Sequence, residues 1–326
     1  MILIINWCEK SFIIKEHKKT RGVSEIKNLT EDVKKVALES GAALVGFAPI
    51  SRFENAPPLY HPHTIYPQTK SVIVIAFPQP RGALKAVEEG TYWQSYNCDS
   101  YWYINEVLAP TVLRKIVMFL EEREYTSVPV HNPFHPHSGR QIRDDQPAGP
   151  DGMVSLRVMG VAAGLGELGH AKLFLTPEFG PRQRVYAVFT DASLKPTPLF
   201  AGSVCDGCLQ CVRECEADAI GKERSVKIKI EDRIFSHAPL DCQKCGVVHR
   251  GDDPRFSPFW NGSEAEGEKP SYNQFSQHRF RHLAICVGRG CLRACLDHLE
   301  KNDRIEKKFK TPFIERDRWK LNEPPC

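Results

Sequence analysis

Four cysteines in 205-CDGCLQCVRECEADAI-220 stand two, two and three residues apart. That spacing bends a backbone around an iron–sulfur cubane. Three thiolates reach three irons, and the fourth cysteine, further along a short helix, points toward a second cluster. One such run therefore calls for a further set of thiolates, and Cys242, Cys245, Cys286, Cys291 and Cys295 supply it. Two four-thiolate clusters need eight ligands, and nine of the twelve cysteines fall between Cys205 and Cys295. The expected first set is Cys205, Cys208, Cys211 and Cys295. The expected second set is Cys215, Cys245, Cys286 and Cys291, with Cys242 as the alternative to Cys245. A zinc site also uses C-x2-C pairs, but four consecutive cysteines at this spacing favour the cubane. Cysteines clustered in a chain of 326 residues do not suit a small secreted disulfide scaffold. Cys8, Cys98 and Cys326 lie apart and read as ordinary thiols. The ferredoxin run usually carries Pro after its fourth cysteine; Glu216 stands there.

A second stretch, 162-AAGLGELGHAKLFLTPEFGPR-182, holds Gly164, Gly166 and Gly169. Backbone without side chains can lie against a flat or bulky ligand, or simply turn tightly. G-x-G-x-x-G is present, but the strand–glycine–helix order of a dinucleotide site is not. The histidine-rich 131-HNPFHPHSG-139 could bind a metal, line a substrate mouth, or be a solvated loop.

These residues need elements to hold them. Residues 1–28 show no clear period and read as an extension. The segment 30–50 reads as a helix capped by Thr30 and ended by Gly41, then a buried strand at 43–48. Further strands are expected at 71–78 and 184–191, and a helix around Leu108–Leu120 with Pro110 near its start. Residues 129–151 read as a long loop of the kind that is often functional. Helices alternating with apolar strands give a layered α/β domain over 29–199. The cysteine-rich 200–300 follows as a second domain, with 252–274 an inserted loop, and 301–326 as a basic tail.

With 41% hydrophobic residues the chain can bury one large core or two modest ones. Its net charge of +4 is mostly local: residues 301–320 carry eight Lys/Arg against four acids. The nearly neutral body argues against broad nucleic-acid binding, and the tail reads as a solvated mixed-charge segment. No run approaches the roughly 20 apolar residues of a membrane helix, and no cleavable or twin-arginine signal is seen. The expectation is a cytoplasmic protein without a membrane partner.

AGLGELG, then LTPEFGPR, an aspartate-ended strand (VFTD) and C-x2-C-x2-C-x3-C, in that order, resemble the reductive dehalogenases and their cytoplasmic relatives, the epoxyqueuosine reductases. The resemblance covers roughly residues 30–296 and is sharpest over 160–215. It implies an α+β chain: a nitroreductase-like α/β corrinoid-binding domain followed by a two-cluster bacterial ferredoxin-like domain. It implies two [4Fe–4S] clusters and a base-off corrinoid (cobalamin), which agrees with the absence of D-x-H-x-x-G. Gly164, Gly166, Gly169 and Thr176 fall where the corrinoid would be met. Electrons would pass from a low-potential donor of ferredoxin or flavodoxin type through the second cluster, then the first, to cobalt and a small-molecule substrate.

Departures concern the proton donor. Where both families carry Lys or Arg just after the glycines, this chain has His170, a residue type able to donate a proton. Asp151 falls near the catalytic Asp of the epoxyqueuosine enzymes. Tyr101, beside Tyr96 and Tyr103, is in range of the dehalogenase tyrosine. The implied activity is a corrinoid-dependent oxidoreductase of the dehalogenase kind. The alternatives are an epoxyqueuosine reductase-like enzyme acting on tRNA, with which the basic tail is compatible, or a non-catalytic electron carrier or corrinoid activator. Glu167 stands where the epoxyqueuosine enzymes usually have an aromatic.

Overall fold

The computed structural model describes residues 23–131, 154–251, 253, 255–259 and 284–314. Asp151, Cys8, Cys326 and most of the histidine-rich loop and of the 252–274 insertion lie outside these residues.

The chain opens with α1 (Val23–Glu39), β1 (Leu44–Pro49), β2 (Ser71–Pro78) and α2 (Arg81–Glu88). A wide π-helical segment, Tyr96–Leu108, runs straight into α3 (Ala109–Glu121). Then come β3 (Ser127–Val130), α4 (Leu156–Ala162), the two-residue strands β4 (Glu167–Leu168) and β5 (Phe174–Leu175), and β6 (Gln183–Thr190). The cysteine-rich part holds α5 (Gln210–Arg213), β7 (Val226–Ile230), β8 (Arg233–His237), α6 (Cys242–Arg250) and α7 (Cys291–Lys301).

The main sheet has the order β1-β2-β6-β3, with every neighbour antiparallel. Residues alternate between its faces, and both faces are covered, which is why β2 and β6 read as continuous apolar runs. Ile73, Ile75, Phe77, Tyr186 and Val188 pack with Val33, Ala37, Val112, Ile116 and Leu120 of α1 and α3. Val72, Val74, Ala76, Val185, Ala187 and Phe189 pack with Met159 and Val161 of α4. A third apolar cluster joins α2 (Leu84, Val87) to Ile285, Val287, Leu296 and Leu299, with Ile305 and Phe313 of the following strap.

Three local expectations change. The first helix begins at Val23, not at Thr30. Thr30 lies inside it; its hydroxyl donates to Ile26 O at 2.8 Å and accepts from Lys195 N at 2.8 Å, so it ties the helix to the loop after β6 rather than capping it. The loop expected from 129 is strand through Val130; Pro129 is tolerated because β3 is an edge strand. The hairpin β7–β8 was not foreseen, although Val226, Ile228 and Ile230 alternate with Lys227 and Lys229.

Candidate functional site

Short elements deliver the thiols. The chain between Cys205 and α5 reverses through two left-handed positions, Gly207 (φ 77°) and Leu209 (φ 59°). Glycine makes the first of them unstrained. Cys211 then sits buried on α5. Cys291 and Cys295 stand one turn apart on α7, and i,i+4 side chains share a helix face. Cys242 and Cys245 lie in the first turn of α6, whose cap Asp241 accepts from Gln243 N at 3.1 Å and Lys244 N at 3.0 Å.

Mutual repulsion shows which thiols are neighbours. Burial, then Cys205 and Cys208, push the Cys211 thiol up to about 11. Burial, then Cys211, Cys205 and Cys208, hold Cys295 well above the usual thiol range. On the other side, burial followed by Cys215 and Cys245 raises Cys291 to about 12. Cys286 is raised strongly by burial, then by Cys291, Glu216, Cys245 and Cys215. The structure thus brings together Cys205, Cys208, Cys211 and Cys295, and separately Cys215, Cys245, Cys286 and Cys291. Cys242 is exposed, as is Cys98. Crowded thiols of this kind resist ionisation alone and release protons when a soft metal binds their thiolates.

A cavity of about 320 Å³ adjoins the second foursome: Cys245, Cys286 and Cys291 stand in its wall together with Tyr96, Tyr101, Arg157, Gln183 and Arg184. The first foursome does not line it. The second foursome, not the first, thus adjoins this cavity. Arg184 organises the wall. Its Nε donates to Ser100 O at 2.5 Å, its Nη2 to Tyr96 Oη at 3.5 Å, and its guanidinium carbon lies 4.4 Å from the Tyr101 ring centroid. Gln79 Nε2 also donates to Tyr96 Oη, at 3.0 Å. Arg157, an exposed residue that also lines the cavity, donates to Lys172 O at 3.1 Å.

The sequence-marked residues are divided by this geometry. Tyr101 lines the cavity; the glycines 164, 166 and 169, Thr176 and His170 do not. Each glycine admits close packing of the chain on itself. A Cβ on Gly164 would lie 2.1 Å from Pro198 O, one on Gly166 2.0 Å from Leu175 O, and one on Gly169 2.8 Å from Leu175 Cδ1. Thr176 is fully buried; its hydroxyl donates to Gln183 Oε1 at 3.4 Å and accepts from Phe179 N at 3.2 Å, so it reaches the cavity only through Gln183. His170 is buried against the first thiol foursome, with Nε2 bonded to Gly221 O at 2.9 Å and its own carbonyl accepting from Ala238 N. A carbonyl only accepts, so Nε2 carries the proton there. Sequence reasoning missed Arg157, Gln183 and Arg184; Gln183 and Arg184 sit where β6 leaves the glycine stretch, and their polarity at the head of an apolar strand was the available signal.

No protein-family model matches the chain. Tetrachloroethene reductive dehalogenases of Desulfitobacterium hafniense and Dehalobacter restrictus are 37% identical over 110 residues, 31% of this chain and 20% of theirs. That of Sulfurospirillum multivorans is 41% identical over 63 residues, 18% of this chain and 13% of its own. The match thus spans about a fifth or less of these relatives. Among solved structures, a catabolic reductive dehalogenase is similar in fold, with TM-score 0.52 and 18% identity over 72% of this chain and 31% of that one. A second reductive dehalogenase, one of B12-dependent dehalogenation, is similar to the same degree, with TM-score 0.52 and 18% identity over 71% of this chain and 30% of that one. An epoxyqueuosine reductase superposes with TM-score 0.50 and 17% identity over 86% of this chain and 67% of that one. The chain is similar in sequence to the reductive dehalogenases and in mixed helix-and-sheet fold to both groups. Among the described residues no helix is long and apolar enough to cross a membrane.

Proposed function

We propose that this chain is an oxidoreductase of the reductive-dehalogenase kind, holding two [4Fe–4S] clusters in its thiol foursomes and a base-off corrinoid in the cavity beside the second. The observation that carries the reading is that one cavity wall contains Cys245, Cys286 and Cys291 of the second set together with Tyr101 and Arg184. Two sets of four soft donors suit the clusters. The cavity is lined by guanidinium groups of Arg157 and Arg184 and by apolar surface from Leu156, Phe174 and Val185, which suits a ligand with an apolar body and polar side groups. The bound corrinoid supplies a strongly reducing cobalt centre. The rest falls to the protein. The glycine stretch packs tightly enough to fix Thr176 and Gln183. Tyr101 is the residue placed to give a proton to the reacting carbon, and Arg184 over its ring stabilises the negative charge left on its oxygen. His170 supports the first cluster's surroundings rather than the reaction. The proposed two-domain reading keeps its nitroreductase-like part at 29–199 and its ferredoxin-like part at 200–300. A low-potential ferredoxin or flavodoxin would deliver electrons at the first cluster.

Anaerobic reconstitution with iron, sulfide and cobalamin tests this. The expected product of gel filtration holds roughly eight iron per chain and one cobalt, and, reduced by a chemical donor, releases chloride from chlorinated ethenes. Iron without cobalt would leave an electron carrier. Both metals with activity only on an epoxyqueuosine-bearing tRNA stem loop would transfer the reading to the epoxyqueuosine enzymes.

A further inference from the structure

Glu216 follows Cys215 at the position where the ferredoxin run usually has Pro. Proline there stiffens the ligand loop locally by fixing its own φ. Glu216 does something else. Its Oε1 accepts from Arg289 Nε across 73 residues of sequence, with the side chains only 7% and 12% exposed. Arg289 lies in the turn between Cys286 and Cys291. That turn is itself closed on a ligand residue: Arg289 N and Gly290 N both donate to Cys286 O, at 3.2 Å and 2.7 Å. Gly290 is tight against the same place, since a Cβ on it would stand 3.0 Å from Cys286 O and 3.7 Å from Glu214 O. One buried ion pair therefore joins the segment carrying Cys215 to the turn flanked by Cys286 and Cys291. Three of the four thiols of the second foursome hang on its two ends.

We infer that Glu216 and Arg289 form a clasp that positions the second thiol foursome for its cluster, doing by a long-range ion pair what the proline of the usual run does locally. The inference rests on the cluster assignment proposed above. Both residues are positioning residues; neither is a ligand. Buried pairs are costly to break from one side, because the charge left behind has no counterpart. Partners behind metal ligands typically govern affinity by about 10–100-fold. The clasp should thus affect one cluster and spare the other.

Wild type, Glu216→Gln, Arg289→Gln and the double variant are reconstituted anaerobically and challenged with an iron chelator. Iron retention and the EPR signals of the reduced clusters are followed. Each single variant should lose half its iron roughly 10-fold faster than wild type, with one cluster's signal fading and the other's unchanged. The double variant should be no worse than the singles, because the two act as a unit. Glu216→Pro combined with Arg289→Gln should restore part of the retention. Variants that release iron as wild type does, or that lose both clusters at one rate, overturn the clasp while leaving the cluster reading intact. A wild type that takes up no iron overturns the cluster reading itself. Where a variant fails to fold, Glu216→Asp keeps the charge and shortens the reach, and is read by the same two signals.

Discussion

Tyr101 and His170 separate two roles that the sequence left together. Both were candidate proton donors, and both residue types can give up a proton. The structure sets Tyr101 in the cavity wall under the Arg184 guanidinium and His170 in a packed layer against Gly221 and Ala238. If the proposed reading holds, Tyr101→Phe should lower dehalogenation by about 10²–10⁴ while iron and cobalt contents stay at wild-type levels. His170→Ala should leave the pH profile of turnover in place and lower stability instead, by about 1–3 kcal/mol for the buried partner it strands. Steady-state rates and denaturant melts of the two variants check both statements; a His170→Ala enzyme with a flattened pH profile would return the proton to the imidazole. The cysteines were legible because ligand spacing is a local geometric demand. Arg157 was not, because a cavity wall is assembled from residues far apart in sequence, and a lone arginine carries no spacing to read.

At the scale of elements, the strands β2 and β6 and the helix α3 were legible from their runs and periods, since burial on one or both faces writes a pattern into the sequence. Thr30 misled for a physical reason: a residue good at capping is also good at bonding back to the preceding turn, and tertiary contact with Lys195 decided between them. The glycine stretch could meet a ligand or turn tightly, and at Gly164, Gly166 and Gly169 the nearest atoms are the chain's own. The position of Gly166 makes this testable. A methyl group there would meet Leu175 O at 2.0 Å, inside the β4–β5 pair, so Gly166→Ala should destabilise the protein by about 1–3 kcal/mol. Gly207, with open space around its Cβ direction, serves as the control: alanine there meets only the strain of φ 77°, of order 1 kcal/mol. Urea midpoints of the two variants should rank in that order, and equal midpoints would mean that the backbone at Gly166 yields. The π-helical Tyr96–Leu108 segment, which carries Tyr96 and Tyr101 to the cavity, had no legible sequence signal, because the extra residue per turn is imposed by what the helix packs against.

The molecule as a whole is held by ion pairs that cross from its first half to its last described segment. Arg81 of α2 grips Glu300 of α7 with Nε–Oε1 at 2.9 Å and Nη2–Oε2 at 2.8 Å, both side chains buried, and lies 4.1 Å from the Phe313 ring centroid. Glu88 accepts from Arg293 Nε at 2.9 Å and from Ile314 N at 3.0 Å. Gly288 lets the turn before α7 approach α2, where a Cβ would stand 2.5 Å from Leu84 O. Arg81→Met should cost about 3–5 kcal/mol, and Arg81→Met with Glu300→Leu should recover most of it, because the stranded carboxylate is gone. A double variant as unstable as the single one would show that shape rather than charge holds α2 to α7. The cross-connection of α7 also has a consequence for biosynthesis. Cys291 faces one foursome and Cys295 the other, so both sets are completed by the same helix, late in the chain. A ribosome has to translate past Cys291 before the second nest can close and past Cys295 before the first. If the nests hold the proposed clusters, iron delivery waits for α7, and a nascent chain stalled before that helix emerges with six of the eight proposed ligand sulfurs and neither set complete.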